Sequence, residues 1–354
     1  MFRILAPLLV IGTVLAATRA SAWWVRAFDY PRLQLAALGL VALAAGWIAA
    51  RTPFDRGLLL TTALCFGAQL LRVVPYTPLW PCQMVRARHP REGASVRLLV
   101  ANVLDTNQDH AAFLAVVARA DPDLVLAVET DAAWMAALAP LAEALPHRVL
   151  EPRENGYGIG LWSRLPLEEA RVEYLVDPTV PSVHATILLP SGQRVAFHGL
   201  HPRPPVPAES TDTAGRDAEL VVVGRATRNE RYPSIVAGDL NDVAWSHTTR
   251  LFLRLSGMLD PRRGRGFFHT FNAKRRLVRF PLDHVFASSR FTLVELTRLP
   301  AGGSDHFPVL VELALEPDAP SRQERPAPAR GDEAEAEAKT EAVGVSEKEL
   351  EPLG

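Results

Sequence analysis

Close to the end of its last apolar region the chain reads Gly303-Ser304-Asp305-His306-Phe307-Pro308, an acid and an imidazole side by side. Asp offers a hard oxygen ligand for a divalent cation, and His a titratable nitrogen. Such a dipeptide is common, so its weight comes from its company. Four earlier apolar runs also end on polar residues suited to phosphate chemistry: Asn102 after VRLLVA, Glu129 after LVLAV, His201 in HGLHPRPP, and Asp239, Asn241 and Asp242 in GDLND. Another acid, Asp283, stands directly before His284-Val285-Phe286. Each has an ordinary structural reading, since a polar residue after a strand is usually a turn former or helix cap. Asp239 resists that reading most, because acid, Asn and acid crowded together are costly unless a cation or imidazole compensates them. Taken together, the set meets the demands of phosphoester hydrolysis. That reaction needs a cation to neutralise growing charge, an acceptor to orient water, and donors for the five-coordinate phosphorus. Glu129, Asn102 and Asp305 are oxygen ligands suited to Mg2+ or Mn2+, and Asp239, Asn241, His201 and His306 supply the rest.

A scaffold must gather these strand ends. Segments 96–101, 124–128, 234–237, 285–286 and 309–315 read as strands, and 185–189 with 194–198 as a hairpin around Pro190-Ser191-Gly192. Helices are expected over 109–120 and 248–255. Mixed strands and helices predict one layered α/β domain over 96–315, behind a linker at 81–95.

The flanks differ in kind. Residues 316–354 hold eleven Asp/Glu against five Lys/Arg, a net of −6, so the whole-chain charge of −1 hides a body near +5. This tail is poor in large apolar residues and is expected to be disordered, with room for a weak helix around 332–351. The two cysteines, Cys65 and Cys82, exclude a disulfide framework and a Cys-based metal site. Residues 1–80 hold three apolar segments, 4–18, 33–50 and 57–71, each flanked by arginine. A span needs roughly 20 apolar residues. The middle segment fits, and the outer two fit if Arg3, Arg19 and Arg72 snorkel. With Trp23, Trp24, Trp47, Tyr76 and Trp80 near the segment ends, this region reads as three transmembrane helices in contact with membrane lipids. Arg3, the first apolar segment and Ala20-Ser21-Ala22 also fit a signal peptide.

The motifs in order, above all GDLND and GSDHFP, resemble those of the endonuclease/exonuclease/phosphatase superfamily over residues 97–315. The resemblance implies a four-layer α/β sandwich, two packed mixed sheets flanked by helices. It implies a metal held chiefly by Glu129, with Asn102 and Asp305 close by. Asp239 would orient or deprotonate water, Asn241 would donate to a phosphoryl oxygen, and His306 would contact the phosphate with Asp283 orienting it. His201 would hydrogen-bond the phosphate or assist the leaving group. Three departures bear on the substrate: His284 follows Asp283 where many relatives carry an aromatic residue, Pro281 replaces a common arginine, and Thr130 follows Glu129.

Substrate selection falls to the flanks of the site. Residues 261–282 contain no acid but carry seven Lys/Arg interleaved with Phe267, Phe268, Phe271 and Phe280, which suits a polyanion at a base stack or a lipid interface. Arg279 is the candidate substrate-binding arginine there. Three spans before the domain resemble a membrane-bound branch associated with glycopeptide resistance, which implies hydrolysis of a lipid-linked pyrophosphate outside the cytoplasm. Arginine counts alone favour the opposite side, with Arg19, Arg26, Arg32, Arg86, Arg88 and Arg91 against Arg3, Arg51 and Arg56. The reading is therefore a membrane-anchored phosphoesterase with an extracytoplasmic catalytic domain. The alternatives are a membrane-tethered nuclease acting on DNA or RNA, and a catalytically silent scaffold.

Overall fold

The computed structural model describes residues 1–207, 209–345 and 350–353. Three apolar helices come first: α1 (Phe2–Ala17), then the short turn α2 (Trp23–Arg26), then α3 (Arg32–Ala49) and α4 (Pro53–Val73). They pack on one another around small residues, and at Gly46 an added Cβ would fall 2.7 Å from Leu59 and 2.8 Å from Phe2. α4 starts on a capping box of Thr52 and Asp55, and Arg3 pairs with the same Asp55 at 2.8 Å. At the other end, Arg26 donates to the Thr18 carbonyl at 2.6 Å and Arg32 to the Ala16 carbonyl at 3.3 Å, satisfying the open C-terminus of α1. α3 and α4 are long and apolar enough to cross a membrane, whereas α1 has 16 residues with Pro7 inside. Three spans were expected, and the length criterion supports two.

The remaining elements are β1 (Ser95–Asn102), α5 (His110–Ala120), β2 (Leu124–Val128), α6 (Ala132–Ala137), β3 (His147–Glu151), β4 (Ile159–Ser163), β5 (Leu167–Glu173), β6 (Ser182–Leu188), β7 (Arg194–Leu200), α7 (Ala214–Asn229), β8 (Ser234–Asp239), α8 (His247–Ser256), β9 (Asp283–Ala287), β10 (Phe291–Arg298) and β11 (Val309–Leu315). They form two mixed sheets, ordered β10-β11-β1-β2-β4-β3 and β5-β6-β7-β8-β9. Alternate residues of β1, β2, β6, β7 and β8, among them Leu98, Leu126, Val183, Phe197 and Ile235, meet between the sheets. The opposite face of the first sheet packs on α5 and α6 through Phe113 and Trp134, and that of the second packs on α7 and α8 through Leu220 and Phe252. Helix, sheet, sheet and helix layers follow in that order, as the resemblance implied.

The tail departs from expectation. Residues 316–353 carry α9 (Ala319–Arg322) and α10 (Asp332–Glu341), and α10 docks on α7 and α8. Composition suggested disorder because large apolar residues are scarce. The contact instead uses Ala336, buried against Val221, Leu251 and Leu255, together with the pairs Arg254–Asp332 at 2.7 Å and Lys339–Asp217 at 2.7 Å. Leu350 and Leu353 are buried as well.

Candidate active site

Two parallel pairings bring the polar strand ends to one edge of the sandwich. In the first sheet Asn102 pairs in register with Val128, so Glu129 follows beside it. In the second, Leu200 pairs with Gly238, which sets His201 beside Asp239, and Asp239 in turn lies opposite Asp283 across the antiparallel β8–β9 pair. Gly238 is required here, because at its φ of +140° a Cβ would fall 1.9 Å from the Leu200 carbonyl. Glu129 and Asn241 both hold positive φ, 61° and 49°, the strained backbone that often accompanies a functional turn.

The side chains bridge the two sheets. Asn102 Nδ2 donates to Glu129 Oε1 at 2.6 Å and to Asp239 Oδ2 at 3.0 Å, while its Oδ1 accepts from the Leu104 N–H at 3.0 Å. Asp239 Oδ1 accepts the Asn241 N–H at 2.9 Å, and the Asn241 amide donates to the Pro202 carbonyl at 3.0 Å. His306 Nδ1 lies 2.8 Å from Asp283 Oδ2, and its Nε2 lies 3.6 Å from Asp239 Oδ2. Burial pulls His306 down, but the charges of Asp283 and Asp239 outweigh it and push the imidazole up to about 10. The proton of this cluster therefore rests on His306, although burial also raises Asp283. Burial, with Asp239 adding repulsion, raises Glu129 to about 7. His201 is buried, its Nδ1 has no partner among the described residues, and burial lowers its pKa, so a neutral imidazole is available beside Asp239 and His306.

The expected residues therefore gather, with two differences. Asn102 directs its N–H, not its oxygen, between the carboxylates. Arg279 lies over the Phe307 ring at 5.0 Å and donates to the Asn272 carbonyl at 3.3 Å, outside the cleft lining. A cation of the expected kind fits the donor set. Three carboxylates, Glu129, Asp239 and Asp283, converge on one imidazolium, leaving surplus negative charge on oxygen donors. Ligand atoms of Asp239, Asp283 and His306 lie within 4.8 Å of one another. A doubly protonated His306 cannot ligate, however, so the carboxylates of Glu129 and Asp305 are the better donors.

Several participants carried no signal in sequence. The Thr270 hydroxyl accepts the Asp283 N–H at 3.1 Å, and the Ser304 hydroxyl donates to the Asn102 carbonyl at 2.8 Å, tying the His306 loop to β1. Tyr30, between α2 and α3, donates from its hydroxyl to the Asn241 carbonyl at 2.8 Å, which Arg216 also contacts at 2.7 Å. Trp245 Nε1 donates to the Asp29 carbonyl at 2.8 Å, and the Tyr76 hydroxyl to the Ala244 carbonyl at 2.6 Å. Three hydrogen bonds thus join the N-terminal helical region to the loop 241–245 beside the cleft. The cleft is about 570 Å³, with Glu129, Asp239, Asn241, Asp305 and His306 along one part. Trp23, Ala27, Tyr30, Pro31, Phe271, Phe280 and the Pro204–Pro207 rim wall the rest.

A sequence profile of the Endonuclease/Exonuclease/phosphatase family matches residues 96–306, more than half of the chain, and the chain belongs to that family. It is accordingly an enzyme of the phosphoester hydrolase class. Solved structures agree on the fold. Humanized D. rerio TDP2 is 17% identical with a TM-score of 0.52, covering 62% of this chain and 99% of its own. The human Nocturnin catalytic domain is 15% identical with a TM-score of 0.52, covering 68% and 99%. An endonuclease/exonuclease/phosphatase protein from Beutenbergia cavernae is 20% identical with a TM-score of 0.50, covering 63% and 72%. No curated protein matches the sequence.

Proposed function

We propose that this chain is a membrane-anchored, divalent-metal-dependent phosphoesterase that hydrolyses a lipid-linked phosphate or pyrophosphate. The cleft carries the reading. Its polar floor is the hydrolytic set, and its walls include Trp23, Ala27, Tyr30 and Pro31 from the helices that lead into the catalytic domain. An apolar chain entering along those helices would deliver its phosphate to His306 and Asn241, whereas a soluble substrate has no use for such walls. The anchor itself is supported by exposure: Leu40, Trp47, Leu60, Leu64 and Leu71 are each at least 60% exposed on α3 and α4, an apolar surface that water penalises and lipid accepts. α1 would complete the anchor as a third, short span, and the catalytic domain would lie outside the cytoplasm.

Glu129 and Asp305 would hold the cation, Mg2+ or Mn2+, which when bound polarises the phosphoryl oxygens and neutralises developing charge. Asp239 accepts the proton of the attacking water. His306, kept protonated by Asp283, donates to a phosphoryl oxygen, Asn241 donates to another, and the neutral His201 hydrogen-bonds the phosphate on the leaving-group side. Attack by water needs no covalent enzyme intermediate.

A nuclease remains the second reading. Lys274, Arg275 and Arg276 form an exposed basic tip, and a D. rerio TDP2 structure with a TM-score of 0.52 is described as a complex with a single-strand DNA product. Phosphate release from polyprenyl pyrophosphate in detergent with Mg2+, compared with cleavage of single-strand DNA, tests the choice. Lipid turnover without DNA cleavage supports the lipid substrate, and the reverse selects the nuclease.

A further inference from the structure

At the corner where α1 ends, α3 begins, α4 ends and α8 starts, arginines outnumber their partners. Six converge there (Arg19, Arg26, Arg32, Arg72, Arg250 and Arg254) with three carboxylates: Asp29, Asp332 and Glu335. The contacts that bound the corner are direct. Asp29 takes Arg26 at 3.0 Å and Arg32 at 2.7 Å, and Arg32 also reaches Gln69 on α4 at 3.3 Å. Trp245, just before α8, donates to the Asp29 carbonyl at 2.8 Å. From α10, Asp332 takes Arg254 at 2.7 Å, while Glu335 lies 3.4 Å from Arg19 and 2.6 Å from His247.

Two guanidinium groups are left over. Arg250 donates once, from Nε to the Ser246 carbonyl at 3.0 Å, and its other nitrogens face no carboxylate among the described residues. Arg72, in the last turn of α4, has no hydrogen bond or ion pair among the described residues. Both are half-buried. A half-buried cation with no partner is costly, and cations that repel one another are costlier. Burial, followed by repulsion from Arg72, Arg254 and Arg32, pulls Arg250 down to about 10. The corner therefore carries surplus positive charge, which an anion would offset.

The surroundings indicate which anion. Arg72 closes a helix long enough to span a bilayer, where phosphate headgroups lie. On α4, Leu71, Leu64 and Leu60 are 76%, 68% and 64% exposed and share one face by their spacing, about 100° around the helix from Arg72. A free phosphate has no use for that stripe, whereas acyl chains would cover it. We propose that Arg72 and Arg250 form a seat for the phosphate of an anionic phospholipid, whose acyl chains lie along Leu60, Leu64 and Leu71. This lipid is bound, not hydrolysed: the seat lies at the α4–α8 corner, and none of its residues lines the catalytic cleft. Because α8 follows the catalytic loop, an occupied seat would fix that loop against the anchor. The inference rests on the membrane-anchor part of the proposed function and not on the identity of the substrate.

The test uses the full-length chain purified in detergent. Native mass spectrometry and thermal unfolding are followed with phosphatidylglycerol, phosphatidylcholine or inorganic phosphate, for wild type, Arg72→Gln, Arg250→Gln and the double variant. Expected are selective retention of phosphatidylglycerol by the wild type, an increase in Tm with that lipid alone, and at least tenfold weaker retention by the double variant. Without lipid the double variant should be as stable as the wild type or more so, since it has lost two unpaired cations; a purely structural role predicts the opposite. Equal retention of phosphatidylglycerol by the double variant and wild type overturns the seat. So does equal retention of phosphatidylcholine, or an equal Tm gain from inorganic phosphate. Release of the wild-type chain from membranes by alkaline carbonate would overturn the anchor and the seat together, and so separates the two failures.

Discussion

Replacing Tyr30 with Phe tests whether the N-terminal region completes the active site. The Tyr30 hydroxyl donates to the Asn241 carbonyl at 2.8 Å, and its ring meets Phe280 edge-on at 5.4 Å. Tyr30→Phe removes the first contact and keeps the second. The acceptor is not orphaned, because Arg216 still donates to it at 2.7 Å. The loss should therefore match a typical net hydrogen bond, about 0.5–1.5 kcal/mol. If that bond holds the left-handed turn at Asn241, and the Asn241 amide engages the phosphoryl group mainly in the transition state, the loss falls on kcat. It should amount to about two- to twelvefold, with KM nearly unchanged. The assay measures kcat and KM with Mg2+ on polyprenyl pyrophosphate and on a small soluble phosphodiester. The variant is combined with Asn241→Gly, which accepts the positive φ but removes the donor. In that background Tyr30→Phe should change kcat by less than about twofold, as expected for residues acting as one unit. An equal effect in both backgrounds, or no effect in either, would refute positioning of this loop by the N-terminal helical region.

Other consequences can be measured independently. Asp283→Asn removes the carboxylate that keeps His306 protonated and oriented and should lower kcat at least ~100-fold. Because the native His306 pKa is raised to about 10, the contribution of its protonated form is complete below about 6.5 and is lost as pH rises through about 10. The alkaline limb of the pH–rate profile should therefore move to lower pH in this variant. Chelation should abolish turnover and Mg2+ should restore it. Since Glu129 is raised to about 7, metal binding should release protons and weaken by up to about tenfold per pH unit as pH falls below 7, which titration calorimetry in two buffers would detect. Asp217 is held at about 2 by Arg216 and Lys339 against the opposing effect of burial, so its stabilisation, about 2 kcal/mol, is present above about pH 4 and is lost as pH falls through about 2. Asp217→Asn should lower Tm at pH 7 by about 5 °C and remove that acid limb.

The parts of the fold that sequence revealed are those with concentrated signals. Leu124–Val128 is a continuous apolar run and Val309–Leu315 is apolar but for Glu312, and they are the strands β2 and β11 to the residue. β5 was missed because LEEARVE is half charged and lies at a sheet edge, where burial imposes little pattern. α7 was missed because AGRDAELVVVGRATRN buries residues on nearly every side, Arg216, Asp217 and Glu219 included, which erases the amphipathic stripe. The polar strand-end residues that gather at the cleft were legible because their chemistry is rare in combination. The contacts of the Arg279 guanidinium with loop carbonyls and the Phe307 ring left no mark in the sequence, where only its charge is visible. Tyr30 could not be found, since its link to Asn241 spans 211 positions and follows no local pattern. The tail shows the limit of composition: Asp332 and Lys339 find fixed partners on α8 and α7, and those pairings appear only once the helices are in place.

Metal-assisted hydrolysis of a lipid-linked phosphate is proposed for the Glu129–Asp239–His306 centre. Its most direct test is phosphate release by the full-length chain across a panel of polyprenyl pyrophosphate, inositol phosphates and single-strand DNA, with and without Mg2+, beside a folded Asp239→Asn variant. Mg2+-dependent turnover of the polyprenyl substrate, absent from the variant, is the expected result. Turnover by the folded variant at the wild-type rate would contradict the assignment of the centre, and turnover of DNA alone would contradict the substrate.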